Sequence, residues 1–349
     1  MLPGSHATMM TSKTIGTALG LVLAAGCTST ELQPESADGS VEASVYMAAP
    51  KCDPLKAKSL EDVLPDDKID GAFKLDVKDL RRGKLYKSIE PMFEAEAREV
   101  LDAMKACGVP LSKVNGVVAG FNEAEDVVFG VEAAGLGKAK TLDCLARKIE
   151  ATTGESPWSR VKRGCHTRLE TSDADVAGFV VGSNMVVFAS KSLEASVESR
   201  LTGKSRPALS GRLGWIPREI DTGRTAWAGS TLPPGMAAGM SAGMSGMNRA
   251  AVSLDTTKGL DVGVGAGFGT VAEAKSAVSE IESQLMQLRA VVMLAGLPSS
   301  VSDSFKVSSK GDLVKLSAFL SPDDIDALRK TLESTAGGSS EPEAPPRGM

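Results

Sequence analysis

Histidine is almost missing from this chain. There are two in 349 residues, His6 and His166, and only His166 lies beyond the first 26. A serine–histidine–acid triad needs a histidine after its nucleophile in hydrolase order, and a histidine-rich zinc centre needs several. Neither can be assembled here. His166 sits where Val161, Cys165 and Leu169 recur on one face and Lys162, Arg168 and Glu170 on the other, so we expect it at the surface and not as a catalytic base. No two cysteines have the close CxxC spacing of a zinc site, and no metal or cofactor is expected. An excess of basic charge is missing too. Beyond residue 26 there are 38 basic and 44 acidic residues, a net charge of −6. Nucleic acid is therefore not an expected partner, because its binding rests on a basic face that displaces counterions. The clusters Arg81-Arg82-Gly83-Lys84 and Arg160-Val161-Lys162-Arg163 are short and read as solvated surface.

Several motifs are present only in part. Gly239-Met240-Ser241-Ala242-Gly243 has the G-x-S-x-G spacing of a nucleophile elbow, but no histidine follows Ser241 and the residues before it are Pro233-Pro234-Gly235-Met236 rather than a strand. Gly203-Lys204-Ser205 matches the end of a phosphate loop, yet Glu198 stands where its first glycine belongs. Asp66 to Gly71 has the start of a calcium loop, with Lys68 and Val77 at ligand positions.

The informative stretch lies near the start. Lys13 precedes an apolar run from Ile15 to Ala25, followed by Gly26 and Cys27 and then by polar Thr28-Ser29-Thr30-Glu31. That is signal-peptide order, and the run is too short to span a bilayer, which takes ~20 apolar residues. Leu23-Ala24-Ala25-Gly26-Cys27 resembles the lipobox of bacterial lipoproteins, with Ala24 where the family prefers Leu. The resemblance implies removal of residues 1–26, acylation of the Cys27 sulfur and attachment to a membrane. Thr28, in place of the Asp that retains such proteins at the inner membrane, implies the outer membrane, with the exported part in the periplasm. Two acyl chains anchor stably where one is marginal, at ~0.8 kcal/mol per buried methylene.

Four cysteines remain after Cys27: Cys52, Cys107, Cys144 and Cys165. An even number in an exported chain favours two disulfides with three possible connectivities. Joining neighbours in chain order gives Cys52 with Cys107 and Cys144 with Cys165, each contributing roughly 3 kcal/mol through the unfolded state.

Residues 27–54 are rich in Ser, Glu, Ala and Pro and poor in large apolar residues, which predicts a disordered tether. Residues 334–349, with Gly337-Gly338-Ser339-Ser340 and three prolines, predict a disordered tail. About 280 residues lie between, and we expect two units, 55–203 and 204–333. Apolar periodicity predicts a strand at 71–77, a long helix ending at Cys107, strands at 115–121 and 126–133 and a helix at 138–151. Three short strands and a helix at 191–201 follow. The second unit predicts a strand at 224–231, a helical piece at 234–247 and strands at 248–256 and 259–268. After these come a helix at 270–295, strands at 303–309 and 312–320 and a helix at 321–333. The shared order suggests an internal duplication of a β-α-β-β-α-β-β-α unit. The expected class is α+β, with antiparallel sheets and helices packed on one face.

Thr270-Val271-Ala272-Glu273 fits a capping box, and Val271, Ala274, Val278, Ile281, Leu285, Leu288 and Val292 recur at helical spacing. Ser321-Pro322-Asp323-Asp324 offers a hydroxyl cap, a first-turn proline and acids against the helix dipole, ahead of Ile325, Leu328 and Leu332. Val262, Val264, Ala266 and Phe268 alternate with Gly263, Gly265, Gly267 and Gly269. That is a strand with one bare face, against which a helix, a partner or an apolar ligand can lie. Met236, Met240, Met244 and Met247 form a thioether stripe, read first as packing. Glycines 235, 239 and 243 permit close approach of another backbone. The expected function is a lipid-anchored, non-catalytic envelope protein that binds a protein partner or an apolar ligand. Two alternatives stand beside it: a carboxylate-dependent glycan hydrolase, and copper handling by the methionines.

Overall fold

A computed structural model describes residues 54–164, 166–233 and 242–337. In chain order its elements are β1 (Gly71–Asp76), α1 (Val77–Arg82), α2 (Tyr86–Ala106), β2 (Val114–Phe121), β3 (Val127–Ala133) and α3 (Ala139–Thr153). Next come β4 (Trp158–Arg163), β5 (His166–Thr171), β6 (Val176–Val181), β7 (Met185–Ser190) and α4 (Glu194–Leu201). The chain continues with α5 (Ile216–Glu219), β8 (Ala226–Thr231), β9 (Met247–Asp255), β10 (Leu260–Phe268) and α6 (Val271–Leu294). It ends with α7 (Ser299–Asp303), β11 (Lys306–Lys310), β12 (Leu313–Leu320) and α8 (Pro322–Gly337). The class is α+β with extensive antiparallel sheet, as the alternating patterns predict.

Two compact units emerge, and neither is one continuous stretch. The described part of the first contains residues 54–65, 90–115 and 126–206; that of the second contains 66–89, 116–125 and 207–337. In the first unit the strands run β3-β7-β6-β5-β4, each paired antiparallel to its neighbour. Four strands therefore occupy the stretch where three were expected. The additional one arises because residues 158–171 form a hairpin, with Arg160 opposite Leu169 and Lys162 opposite Thr167. In the second unit the order is β11-β12-β10-β9-β8-β1-β2, again antiparallel throughout.

In the first unit, Leu142 and Leu145 of α3, Phe179 and Val187 of the sheet, and Val197 and Leu201 of α4 are all buried. The same unit also buries a charge. Arg168 of β5, expected on a solvated face, is 7% exposed. Its guanidinium lies 4.8 Å from the centre of the Phe179 ring and bonds the carboxylates of Glu194 and Glu198 on α4. Short side chains flank the pair of acids on α4, and β5 carries the arginine beneath them. His166, the residue two before it, is half-buried at the start of β5. Burial alone raises the Glu194 carboxyl, but Lys191 and Arg168, both bonded to it, hold it below its ordinary value.

The disulfide pairing differs from the expected one. Cys107, just past α2, is bonded to Cys144 of α3, which excludes both the Cys52–Cys107 and the Cys144–Cys165 pairings. Chain proximity misled because α2 and α3 are brought side by side by the strands between them. Cys52 and Cys165 lie outside the described residues.

Helix packing also departs from the one-face expectation. On β10, Val264, Ala266 and Phe268 point toward α6, and on the opposite face Gly265 lies against Glu219 of α5. Both sides of that strand are covered.

Two predictions follow from these contacts. Removing the Cys107–Cys144 bond by Cys107→Ser with Cys144→Ser reopens a loop of separation 37, and denaturant unfolding should show a loss of about 4 kcal/mol. Arg168→Gln leaves two carboxylates facing a buried site without their cation, and the same measurement should show a loss of about 3 kcal/mol. The lowered Glu194 carboxyl adds stability above the ordinary glutamate range, and that stability is lost as pH falls through the lower folded value. The wild-type acid limb should therefore become shallower in the variant but not vanish, because Lys191 stays bonded to Glu194 at 2.6 Å.

Candidate functional site

The second unit contains an apolar cavity of ≈450 Å³, and the residues that build it follow from how α6 is set on the sheet. Thr270 caps α6, its hydroxyl accepting from the Glu273 amide at 3.2 Å while the Glu273 carboxylate accepts from the Thr270 amide at 2.8 Å. This reciprocal pair fixes the start of the helix. Ala274 and Ala277 then bring the first turns tightly onto Phe268, Met247 and Val314. Val271, expected on the buried stripe, is half exposed, because the stripe begins only at Ala274.

Beyond Ala277 the helix carries larger residues, and the sheet beneath it carries small ones. Ile281, Leu285 and Leu288 face Val264, Ala266, Val314 and Leu316 across the cavity, with Phe305 and Met244 at its sides and Gln284 as its one polar side chain. Farther along, Val292 is buried again. The space is thus bounded by close packing near Ala277 and near Val292, and its rim includes Leu288, which is 37% exposed. The turn at residues 242–244 reaches this site because Gly243 has no side chain: a Cβ there would stand 2.9 Å from Cβ of Glu280. The site is a groove open to solvent at Gln284 and Leu288, and its volume falls in the range of small-molecule sites, roughly 300–1,000 Å³.

The bare face of β10 is occupied by the chain itself. Gly267 lies beneath the Arg249 guanidinium, where a Cβ would stand 2.4 Å from its carbon, and Gly265 lies beneath Glu219. Arg249 donates to Glu219 at 2.7 Å and to Asp312 at 3.2 Å. Burial opposes the charge of Arg249, but these two carboxylates hold its pKa above the ordinary value. The glycine face is therefore sealed by an ion triad, and the open apolar space is on the other side of the same strand. Of the occupants expected there, a helix, a partner or an apolar ligand, it is helix α5, through Glu219, that lies against Gly265.

The remaining candidates are placed as follows. Met244 lines the cavity and Met247 is buried in the core beside it, whereas Met236, Met240, Ser241 and glycines 235 and 239 lie outside the described residues, as does Cys27. Among the described residues, the two buried carboxylates are Glu219 and Asp324. Glu219 serves Arg249. Asp324 is held below its ordinary pKa by hydroxyl donation from Ser300 and then Ser321, and it accepts from the amide of Ser321, the residue before α8, at 2.9 Å. Asp70 accepts from the Glu123 amide at 3.2 Å, and Arg212 pairs with it. Lys204 follows the glycine turn after α4, its amide bonded to Ser199 at 2.8 Å. Arg160 pairs with Asp143 at 2.8 Å and Arg163 with Glu170 at 2.7 Å, across solvated surface as expected. Sequence periodicity found Ile281, Leu285 and Leu288 as one stripe. It missed that they roof a cavity, and the available signal was the small size of Val264 and Ala266 opposite them.

No family model matches the chain, and no curated protein matches it. A solved structure titled as crystal form I of TP0453 aligns with a TM-score of 0.44 and 11% identity, over 82% of this chain and 98% of that one.

The ion triad yields one prediction. Gly267→Val drives a branched side chain into Arg249 and strands Glu219 in the interior. Denaturant unfolding should show a loss of about 3 kcal/mol, whereas Gly311→Asn, at a solvent-facing turn with φ +64, should cost far less.

Proposed function

We propose that the chain is a lipid-anchored, non-catalytic envelope protein that binds an apolar ligand, of the acyl-chain class, in the cavity beneath α6. The cavity carries this reading. A space walled by Val264, Ala266, Ile281, Leu285, Leu288, Val314 and Leu316 offers dispersion contacts along its whole length and a single amide, Gln284, for orientation. Such a site selects by shape and apolarity and has no group to activate a bond. The lipobox resemblance at Cys27 supplies the location: acyl chains on its sulfur, an outer-membrane address and a periplasmic body.

Internal duplication belongs to the same reading and is supported by pairing order. β1 pairs with β2 as β8 pairs with β9. β3 pairs with β7 and β7 with β6, as β10 pairs with β12 and β12 with β11. In this correspondence the β4–β5 hairpin is an addition to the first copy, and α3 and α6 occupy equivalent places.

Ligand binding is tested with palmitate. At a hundredfold excess over its dissociation constant it should stabilise the folded chain by about 2.7 kcal/mol, read as a rise in unfolding temperature. Val264→Phe, which fills the cavity, should remove the rise while keeping the circular dichroism spectrum. A wild-type protein with no rise, or a variant with an undiminished one, refutes the site. The anchor is tested separately, by metabolic labelling with a fatty acid that survives organic extraction and disappears in Cys27→Ser.

A further inference from the structure

We propose that the C-terminal end of α6 is a membrane-inserting tip that enters one leaflet of a bilayer. Four large apolar side chains there face solvent: Met286 at 63% exposure, Val291 at 60%, Met293 at 68% and Leu294 at 89%. Their distribution identifies the partner. At about 100° per residue, these four span roughly 160° of the circumference, with Gln287 inside that arc. Leu285 and Leu288 face the cavity and Val292 is buried, at 4% exposure. A helix docking into a protein groove or against a second copy needs an apolar stripe of roughly 100° with polar flanks. Residues 290–295 carry no polar side chain on any side, so this end lacks the polar flanks of a docking stripe and suits an apolar medium.

Charge and backbone agree with that medium. Between Glu282 and Asp303 the one charged residue is Arg289, 3.9 Å from Asp303 and long enough to keep its head at the interface. The tip closes on itself. The Ala295 amide donates to the Val291 carbonyl at 2.9 Å, Gly296 to Met293 at 3.1 Å and Leu297 to Val292 at 3.1 Å, with Gly296 at φ +67. Carbonyls at a helix end are ordinarily left without partners, and unbonded ones are costly in hydrocarbon. This turn satisfies several of them.

Length sets the depth. Residues 290–297 rise at most ~12 Å, less than half of a ~30 Å hydrocarbon core, so the tip reaches into one leaflet. Among the described residues no helix is long and apolar enough to cross a membrane. The chain outside the structure supplies the opportunity. Cys27 is followed by 26 residues before Pro54, whose fully extended reach is at most ~90 Å. Acylation at Cys27 then confines the tip near a bilayer at high effective concentration, where modest insertion suffices. In this respect the proposal rests on the anchor reading above.

The test uses the acylated full chain in phosphatidylcholine vesicles whose acyl chains carry bromine, a quencher of tryptophan emission. Native Trp215 and Trp227 are buried, Trp158 is half-buried at the start of β4, and the emission of the wild-type chain in the same vesicles is subtracted from that of each variant. Leu294→Trp should float with the vesicles, shift its emission to the blue and lose more than half of it to quenching, independent of salt. Lys258→Trp, at an exposed turn, should float equally and remain unquenched. Val291→Asp with Met293→Asp added to Leu294→Trp should abolish quenching without preventing flotation. Flotation with no quenching at residue 294 overturns insertion and leaves the anchor standing. A chain that stays in the aqueous fraction overturns both. A dimer that the aspartates dissociate, with no quenching, overturns insertion in favour of a second copy on this surface.

Discussion

Strand β10 places a glycine at every second residue from 263 to 267, and the second unit is arranged around the resulting asymmetry. A side chain at Gly265 or Gly267 would collide with Glu219 or Arg249. With none there, the guanidinium lies flat on the strand and meets Glu219 from α5 and Asp312 from the β11–β12 turn. That triad joins three separate pieces of chain on one face. Removing charges from water is expensive, and it is offset only where the partners are all in place. The strand must therefore stay bare on that side. Its other side is free to carry apolar residues, and Val264 and Ala266 are small ones. The cavity beneath α6 is the consequence of small side chains opposite a helix that Ala274 and Ala277 seat closely at its start and Val292 seats again near its end.

Much of this architecture was legible in the sequence. The capping box at Thr270, the cap at Ser321 and the turn at Gly311 all announce element boundaries, because each is a local arrangement of side chain and backbone. Alternation gave the strands of the second unit to within a few residues. The failures share a different origin. Nothing local says that Cys107 meets Cys144, since that contact depends on strands bringing α2 beside α3. Arg168 reads as surface because arginine usually is, and its burial depends on two acids 26 and 30 residues later. The hairpin at 158–171 was obscured because a spacing of four places residues on one face of a helix or of a strand alike.

The candidate site was legible in its parts and not in its function. Ile281, Leu285 and Leu288 belong to a stripe that periodicity finds. A stripe predicts burial, and it does not predict a gap. Gaps arise from volumes on two elements far apart in sequence, here the helix and strands β10 and β12, and periodicity carries no information about that sum. The glycine face left its occupant open for the related reason that an absent side chain invites one, but the sequence does not name it. Arg249 and Glu219 are the occupants, each separated from β10 by a turn or by two other strands.

Helix α6 joins the two properties on which the functional reading depends. Leu288 lines the cavity and is part of its rim, and about one and a half turns beyond it the helix exposes Met293 and Leu294. An acyl chain leaving a bilayer for a site in solution exposes its methylenes to water, at ~0.8 kcal/mol for each one. A tip that seats in the leaflet removes most of that barrier, because the rim at Leu288 then lies within about 10 Å of the inserted end, at 1.5 Å per residue. Gln284, one turn before Leu288 on the cavity side, is then the first polar group that a chain entering from the leaflet meets. On the proposed reading, the helix that leaves space beneath it for an apolar ligand also ends in the surface that meets the leaflet.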